Sequence, residues 1–267
     1  MFFHSRYLNR SMLFKPIWRI IKKYKISKKR IFLEPSKIKL RAMKDLYKGK
    51  HCFLIGNGPS LNEMDLTKLK NEITFGVNAI FLNFHKMNFS PTFYSVEDVF
   101  VAEDRAYEIN RLDGMTKFFP IDLSYCLENL SGTIYINFIR NHKYFPSFSK
   151  DCSEKVFWGS TVTYMNMQIA YYMGFTTLYL IGMDFSYKIP DYITGSDIIS
   201  QEDDVSHFHP DYFGKGYRWH HPRLDRVIMA YKVAKEEFEK DGRKIINATK
   251  GGQLNLFERQ RYEDIFK

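Results

Sequence analysis

The chain has 267 residues, 45% of them hydrophobic and 17% aromatic, which suffices for one large α/β domain or a domain with an appendage and excludes a disordered chain. The net charge of +10 is uneven: residues 1–50 hold 16 Lys+Arg and 2 acidic side chains, while the rest hold 24 and 28, a net of −4. A face built for nucleic acid carries its own positive charge, so nucleic acid is excluded as a partner. The scattered Cys52, Cys126 and Cys152 exclude a disulfide scaffold and a zinc spacing.

Residues 1–49 read as a basic amphipathic arm. Phe14, Ile17, Trp18 and Ile21 fall near one helical face, and a lysine cluster follows through Arg30. An apolar face beside lysines suits an anionic membrane surface, contacted through residues 12–30. The run is too short to span a bilayer and is broken by Lys15, Pro16 and Arg19, and no signal-peptide core precedes it. The expected location is cytoplasmic, peripheral at the inner face of the cytoplasmic membrane. The alternative is an arm packed on the domain or on a second subunit, which would make a homo-oligomer.

Residues 50–267 read as one domain. Cys52–Ile55 is an apolar strand, Gly56-Asn57-Gly58-Pro59-Ser60 a tight turn, and Asn62–Lys70 a helix. A strand that turns through glycines into a helix presents backbone N–H groups to an anion, most often a phosphate. Ser60 is placed to cap the helix, and Asn57 offers an amide to a ribose, base or phosphate. Further strands end at Asn78 and at Glu97-Asp98, a helix follows through Val101–Arg111, and Lys117–Phe119 and Thr133–Asn137 are shorter strands. Gly159-Ser160-Thr161 opens a long helix through Tyr172, and Thr177–Gly182 is a strand stopping at Met183-Asp184. Strands alternating with helices predict a mainly parallel, Rossmann-like α/β sheet with helices on both faces. Ligands sit beyond the C-terminal strand ends in such sheets, where Asn57, Asn78, Asp98 and Asp184 fall.

Residues 186–222 lose this rhythm and read as a lid or acceptor loop. The stretch carries an acidic patch at Glu202–Asp204 and four of the eight histidines: His207, His209, His220 and His221. Their spacing matches no metal motif, so no metal ligands are expected, whereas a histidine suits a general base at neutral pH. Arg223–Lys240 is an amphipathic helix, and Lys244–Thr249 a last strand and turn.

Ile55-Gly-Asn-Gly-Pro-Ser-Leu61, the strand-end Asn78, Gly159-Ser160-Thr161 and Leu180-Ile-Gly-Met-Asp-Phe185 resemble the bacterial sialyltransferases that use CMP-sialic acid. The wider superfamily includes 6-hydroxymethylpterin diphosphokinase MptE-like proteins, and Asn247–Leu254 with Phe257-Glu-Arg259 look more like that wider group. The resemblance implies a metal-independent inverting glycosyltransferase without a cofactor. Its substrates would be a nucleotide-sugar donor and a glycan or glycolipid acceptor of the cell surface. By position, Gly56, Asn57, Gly58, Pro59, Ser60, Asn78, Gly159, Ser160, Thr161, Gly182, Asp184 and Phe185 would hold the nucleotide, and strand-end Asp98 joins them. Tyr192 matches one of two tyrosines that assist the departing phosphate. The other falls on Ser186, with Tyr187 one residue late. The resemblance also implies a loop histidine as base, which His207 or His209 fits after a small shift. One rival is an MptE-like diphosphate transferase using ATP and Mg²⁺, with Glu97, Asp98 and Asp184 as metal carboxylates. Another is a non-catalytic module that recruits an assembly complex to the membrane.

Overall fold

The computed structural model describes residues 15–187 and 197–267. Its centre is an eight-stranded sheet in which every neighbouring pair is parallel. The chain enters at β1 (His51–Ile55) and steps outward through β2 (Thr74–Val77), β3 (Phe93–Ser95), β4 (Thr116–Pro120) and β5 (Thr133–Ile136). Two short strands, β6 (Phe138–Ile139) and β7 (Val156–Phe157), pair outside the sheet. The chain then returns to β1's other side as β8 (Thr177–Ile181), which pairs with β1 from His51↔Thr177 to Ile55↔Ile181. A two-stranded unit, β9 (Asp197–Ile199) with β10 (Arg218–His220), lies in the inserted region, and β11 (Lys244–Asn247) and β12 (Glu258–Arg259) extend the sheet past β8. Strand order therefore reverses between β1 and β8. A doubly wound sheet opens a crevice at such a point, beyond the carboxyl ends of both strands.

Side chains alternate across the strands, so the two faces bury two cores. Cys52 and Leu54 join the face packed by α6 (Val162–Tyr172) and α7 (Leu224–Lys240), while Phe53 and Ile55 join the opposite one. Burial on both faces explains why β1 and β2 read as continuous apolar runs rather than alternating ones. All eleven residues of α6 are buried, and α7 turns Val227, Ala230, Tyr231, Ala234 and Phe238 inward.

Three expected helices differ. Instead of one helix over Asn62–Lys70 there are two 3-10 turns, Pro59–Glu63 and Leu66–Leu69. Ser60 caps neither, because its hydroxyl is engaged by Asp184. A four-residue helix, α3 (Phe84–Met87), follows β2. The Val101–Arg111 segment is two helices, α4 (Val99–Asp104) and α5 (Ala106–Ile109), broken at Arg105. That arginine is buried and donates to the carbonyls of Asp211 and Tyr212, so a long-range contact overrides local helix preference. In the arm, α1 (Lys15–Lys29) turns Trp18 toward the domain, edge-on to Tyr125 at 6.4 Å, rather than out with Ile17 and Ile21. Lys22 sits over the Tyr125 ring at 4.0 Å and 3.5 Å from the buried Glu103. Helix α2 (Leu33–Met43) covers the sheet edge: the Tyr135 amide of β5 donates to the Ser36 hydroxyl (3.0 Å), and Leu40 is buried. No helix among the described residues is long and apolar enough to cross a membrane.

Candidate nucleotide-binding site

The turns after β1 and β8 meet at the reversal point. Gly56 N–H donates to the Ile181 carbonyl (2.8 Å) and Gly58 N–H to the Gly182 carbonyl (2.9 Å). Asp184 reaches across, accepting from the Ser60 amide at 3.0 Å and the Ser60 hydroxyl at 2.7 Å. A Cβ on Gly58 would lie 1.7 Å from Asp184 Oδ2, and one on Gly56 would lie 2.4 Å from the Gly182 carbonyl. Here glycine is required for close approach of two loops rather than for a positive φ. The amides expected to receive a phosphate, Gly58 and Ser60, thus already have partners, and Asp184 clamps the loops together. The Asn247–Leu254 segment buttresses the same loop. Gln253 N–H donates to the Asp184 carbonyl (2.7 Å), and Thr249 Oγ1 accepts from Met183 N–H (3.0 Å).

Above this lock lie two adjoining cavities of about 140 and 720 Å³. Gly56, Asn57, Gly58, Gly182, Asp184 and Phe185 line the inner one, and Asn78, Ser160, Thr161, Tyr187 and His207 line both. Asp98 lines only the outer cavity and caps α4, accepting from Phe100 and Val101 N–H. Pro59, Ser60, Gly159 and His209 line neither; a Cβ on Gly159 would meet the Tyr164 ring at 2.2 Å. Tyr192 lies outside the described residues.

Three polar atoms around the inner cavity are buried and have no partner among the described residues: Asn57 Oδ1, Asn78 Oδ1 and Ser160 Oγ. Asn57 Nδ2 is held by the Val77 carbonyl (3.3 Å), which fixes its oxygen. Asn78, Ser160 and Phe185 adopt φ of +50°, +65° and +56°, strained for side-chain-bearing residues. Buried polar groups are normally paired, and strained backbone gathers where ligands are gripped. Three orphans and three strained residues therefore gather at the ends of β1, β2 and β8 and the start of α6, which makes this the candidate ligand site.

The histidine loop is pinned to this site. Phe208 is buried, its N–H donates to the Asn57 carbonyl (2.9 Å), and its carbonyl accepts from Asn62 Nδ2 (2.8 Å). His207 Nδ1 lies 2.7 Å from Asp204 Oδ2, and its ring stacks on Tyr212 at 4.0 Å with an interplanar angle of 9°. Burial alone would raise the Asp204 pKa, but the hydrogen bonds from His207 and from the Ser206 and Phe213 amides hold it below the usual carboxylate value. The Asp204 carboxylate occupies the Nδ1 side of His207, so Nε2 is the ring nitrogen not engaged by it. His209 Nδ1 instead accepts from the Asp211 amide (3.1 Å). Tyr187 meets His207 edge-on at 6.2 Å. Desolvation of its hydroxyl, and then the charges of Asp184 and Asp204, raise its pKa, so it stays protonated and able to donate.

The carboxylates weighed as metal ligands all have protein partners: Asp184 holds Ser60, Asp98 caps α4, and Glu97 takes Arg140 at 3.0 Å. Among the described residues no group of three or more His, Cys, Asp or Glu is placed to hold a metal ion. Sequence reasoning missed Asp204 and Tyr212, which hold the His207 ring. Only Asp204 carried a signal, at three residues from His207.

A family model described as 6-hydroxymethylpterin diphosphokinase MptE-like matches residues 30–190, from α2 through the Asp184 loop. No curated protein matches the chain. Among solved structures, a MAf glycosyltransferase from Magnetospirillum magneticum AMB-1 is similar at a TM-score of 0.51 and 14% identity, over 87% of this chain and 39% of that one. At that identity the likeness is one of fold.

Proposed function

The chain belongs to the 6-hydroxymethylpterin diphosphokinase MptE-like family, and from that premise we propose that it is a nucleotide-dependent transferase, specifically a metal-independent inverting glycosyltransferase that uses a CMP-activated sugar. The observation that carries this reading is the ring of unpartnered Asn57, Asn78 and Ser160 atoms beside the oriented His207–Asp204 pair.

In this reading Asn57, Asn78 and Ser160 hydrogen-bond the nucleotide in the inner cavity, and the sugar projects into the outer one. Nε2 of His207 takes the proton of an acceptor hydroxyl as its oxygen bonds to the anomeric carbon. The bond from that carbon to the phosphate oxygen breaks on the opposite face, the configuration inverts, and CMP leaves. The protonated Tyr187 donates to the departing phosphate. A monophosphate leaving group bears less charge than a diphosphate, so a hydroxyl donor can serve in place of a cation.

The arm supports a membrane-bound glycan as acceptor. Helix α1 exposes Ile17, Ile20, Ile21 and Tyr24 beside the exposed Lys23, Lys25 and Lys28, a combination that suits the cytoplasmic surface of an anionic bilayer.

The family's description favours a second reading, diphosphate transfer from ATP with Mg²⁺. That chemistry would place Mg²⁺ on Asp184, Asp98 or Glu97, whose hydrogen bonds and ion pairs to Ser60, α4 and Arg140 already take up part of their acceptor capacity. The test is turnover of CMP-, UDP- and GDP-sugars and of ATP with a pterin alcohol, each in EDTA and in Mg²⁺. Transfer from a CMP-sugar in EDTA is the expected result; activity with ATP and Mg²⁺ alone would replace it with the second reading.

A further inference from the structure

The outer cavity holds three arginines, and two of them are matched. Arg140 pairs with Glu97 and with Asp122 at 2.5 Å, and Arg223 pairs with Asp225 at 3.0 Å. Arg226, in the first turn of α7, is different. Its guanidinium lies 4.0 Å from the Phe145 ring centroid and 5.0 Å from that of Trp158, and no carboxylate among the described residues pairs with it. Its Nε is buried without an acceptor. One more donor of a residue lining this cavity, Trp219 Nε1, is also buried and unpartnered among the described residues.

Arg226 is half-buried, and a guanidinium laid on aromatic rings with its Nε shielded from water keeps its demand for an acceptor, which ring contacts satisfy only in part. The planar fork matches a carboxylate in bidentate fashion, which an ammonium cannot do. The Trp219 indole N–H, which lines the same cavity, offers a further donor to such a group. We propose that Arg226 is a specificity-determining residue that binds the carboxylate of an acidic sugar in the outer cavity. This rests on the glycosyltransferase reading and deepens it, because the nucleotide cavity alone does not select the sugar. The carboxylate belongs either to the transferred sugar or to the terminal sugar of the acceptor.

The experiment titrates full-length protein, wild type and the Arg226→Met and Arg226→Gln variants, with free N-acetylneuraminic acid, with its methyl ester and, separately, with CMP. The acid is expected to bind wild type at least tenfold tighter than the ester, and both variants are expected to lose that preference while keeping CMP affinity within twofold. Equal binding of acid and ester by wild type, or a preference that survives in either variant, overturns the proposal. So does an equal loss of CMP affinity, which would make Arg226 a packing residue. Failure of wild type to bind CMP while the acid preference follows Arg226 would remove the nucleotide reading and leave the carboxylate site standing. In turnover, a loss of affinity for the CMP-activated acid places the carboxylate on the donor. A rise confined to KM for a sialylated over a neutral lactoside places it on the acceptor.

Discussion

The lock between Ser60 and Asp184 separates a structural role from a ligand-binding one. Asp184 is 8% exposed and accepts two hydrogen bonds, at 3.0 and 2.7 Å, across the point where β1 and β8 diverge. Hydrogen bonds to a charged group contribute about 1.5–3 kcal/mol each. Ser60→Ala removes the hydroxyl and leaves the amide, so it should cost about 2 kcal/mol, or roughly 4–8 °C in Tm for a chain of this size. Asp184→Ala also leaves the buried Ser60 donors without an acceptor and should cost about 3–5 kcal/mol. The double variant should fall short of the sum by about 1–2 kcal/mol, because both changes remove the same bond. The assay is urea unfolding followed by circular dichroism, with CMP binding measured beside it. If Ser60→Ala keeps wild-type stability while losing nucleotide affinity, these groups face the ligand and the lock is refuted.

His207→Ala should keep donor binding and lose roughly 10²–10⁴-fold in turnover, whereas His209→Ala should stay near wild type; the reverse pattern would move the base. Asp204→Asn should also lower turnover with little change in donor affinity, since it frees the His207 ring to adopt the wrong tautomer. Burial, against the opposing charge of Arg140, raises the Glu97 carboxyl to about 7. Between the ordinary value and about 7 the folded chain therefore binds a proton that the unfolded chain has released. Stability should decline as pH rises through that window, by about 3 kcal/mol at most, and Glu97→Gln should flatten the slope of Tm against pH. Changing the exposed Lys23, Lys25 and Lys28 to Gln should weaken binding to vesicles containing phosphatidylserine about a hundredfold, at about 1 kcal/mol per charge, with Tm unchanged.

The strands that frame the site are legible because they are apolar runs stopped by glycine or a polar residue, as at Ile55-Gly56 and Ile181-Gly182. A parallel sheet buries both faces, so such runs carry a clear signal. The conformation after Pro59 is not legible. Its local sequence reads as a capped helix, and the residue that diverts Ser60 is Asp184, 124 positions away. Arg105 breaks a predicted helix for the same kind of reason. His207 and His209 could not be told apart until the fold put Asp204 against one and an exposed loop around the other. Arg226 reads as one more charge on an amphipathic helix; the two rings beneath it and the lack of a paired carboxylate among the described residues distinguish it.

The central claim is that the ends of β1, β2 and β8 and the start of α6 grip one nucleotide. The dissociation constant of CMP in EDTA, measured by calorimetry for wild type, Asn57→Ala and Asn78→Ala, tests it most directly. Each variant should bind roughly tenfold more weakly, as expected for one lost hydrogen bond to the ligand. Each should still unfold cooperatively with Tm lowered by about 2–8 °C, because Asn57→Ala also gives up the bond to the Val77 carbonyl and alanine is disfavoured at the positive φ of Asn78. Unchanged affinity in both variants, or no CMP binding by wild type, would contradict it.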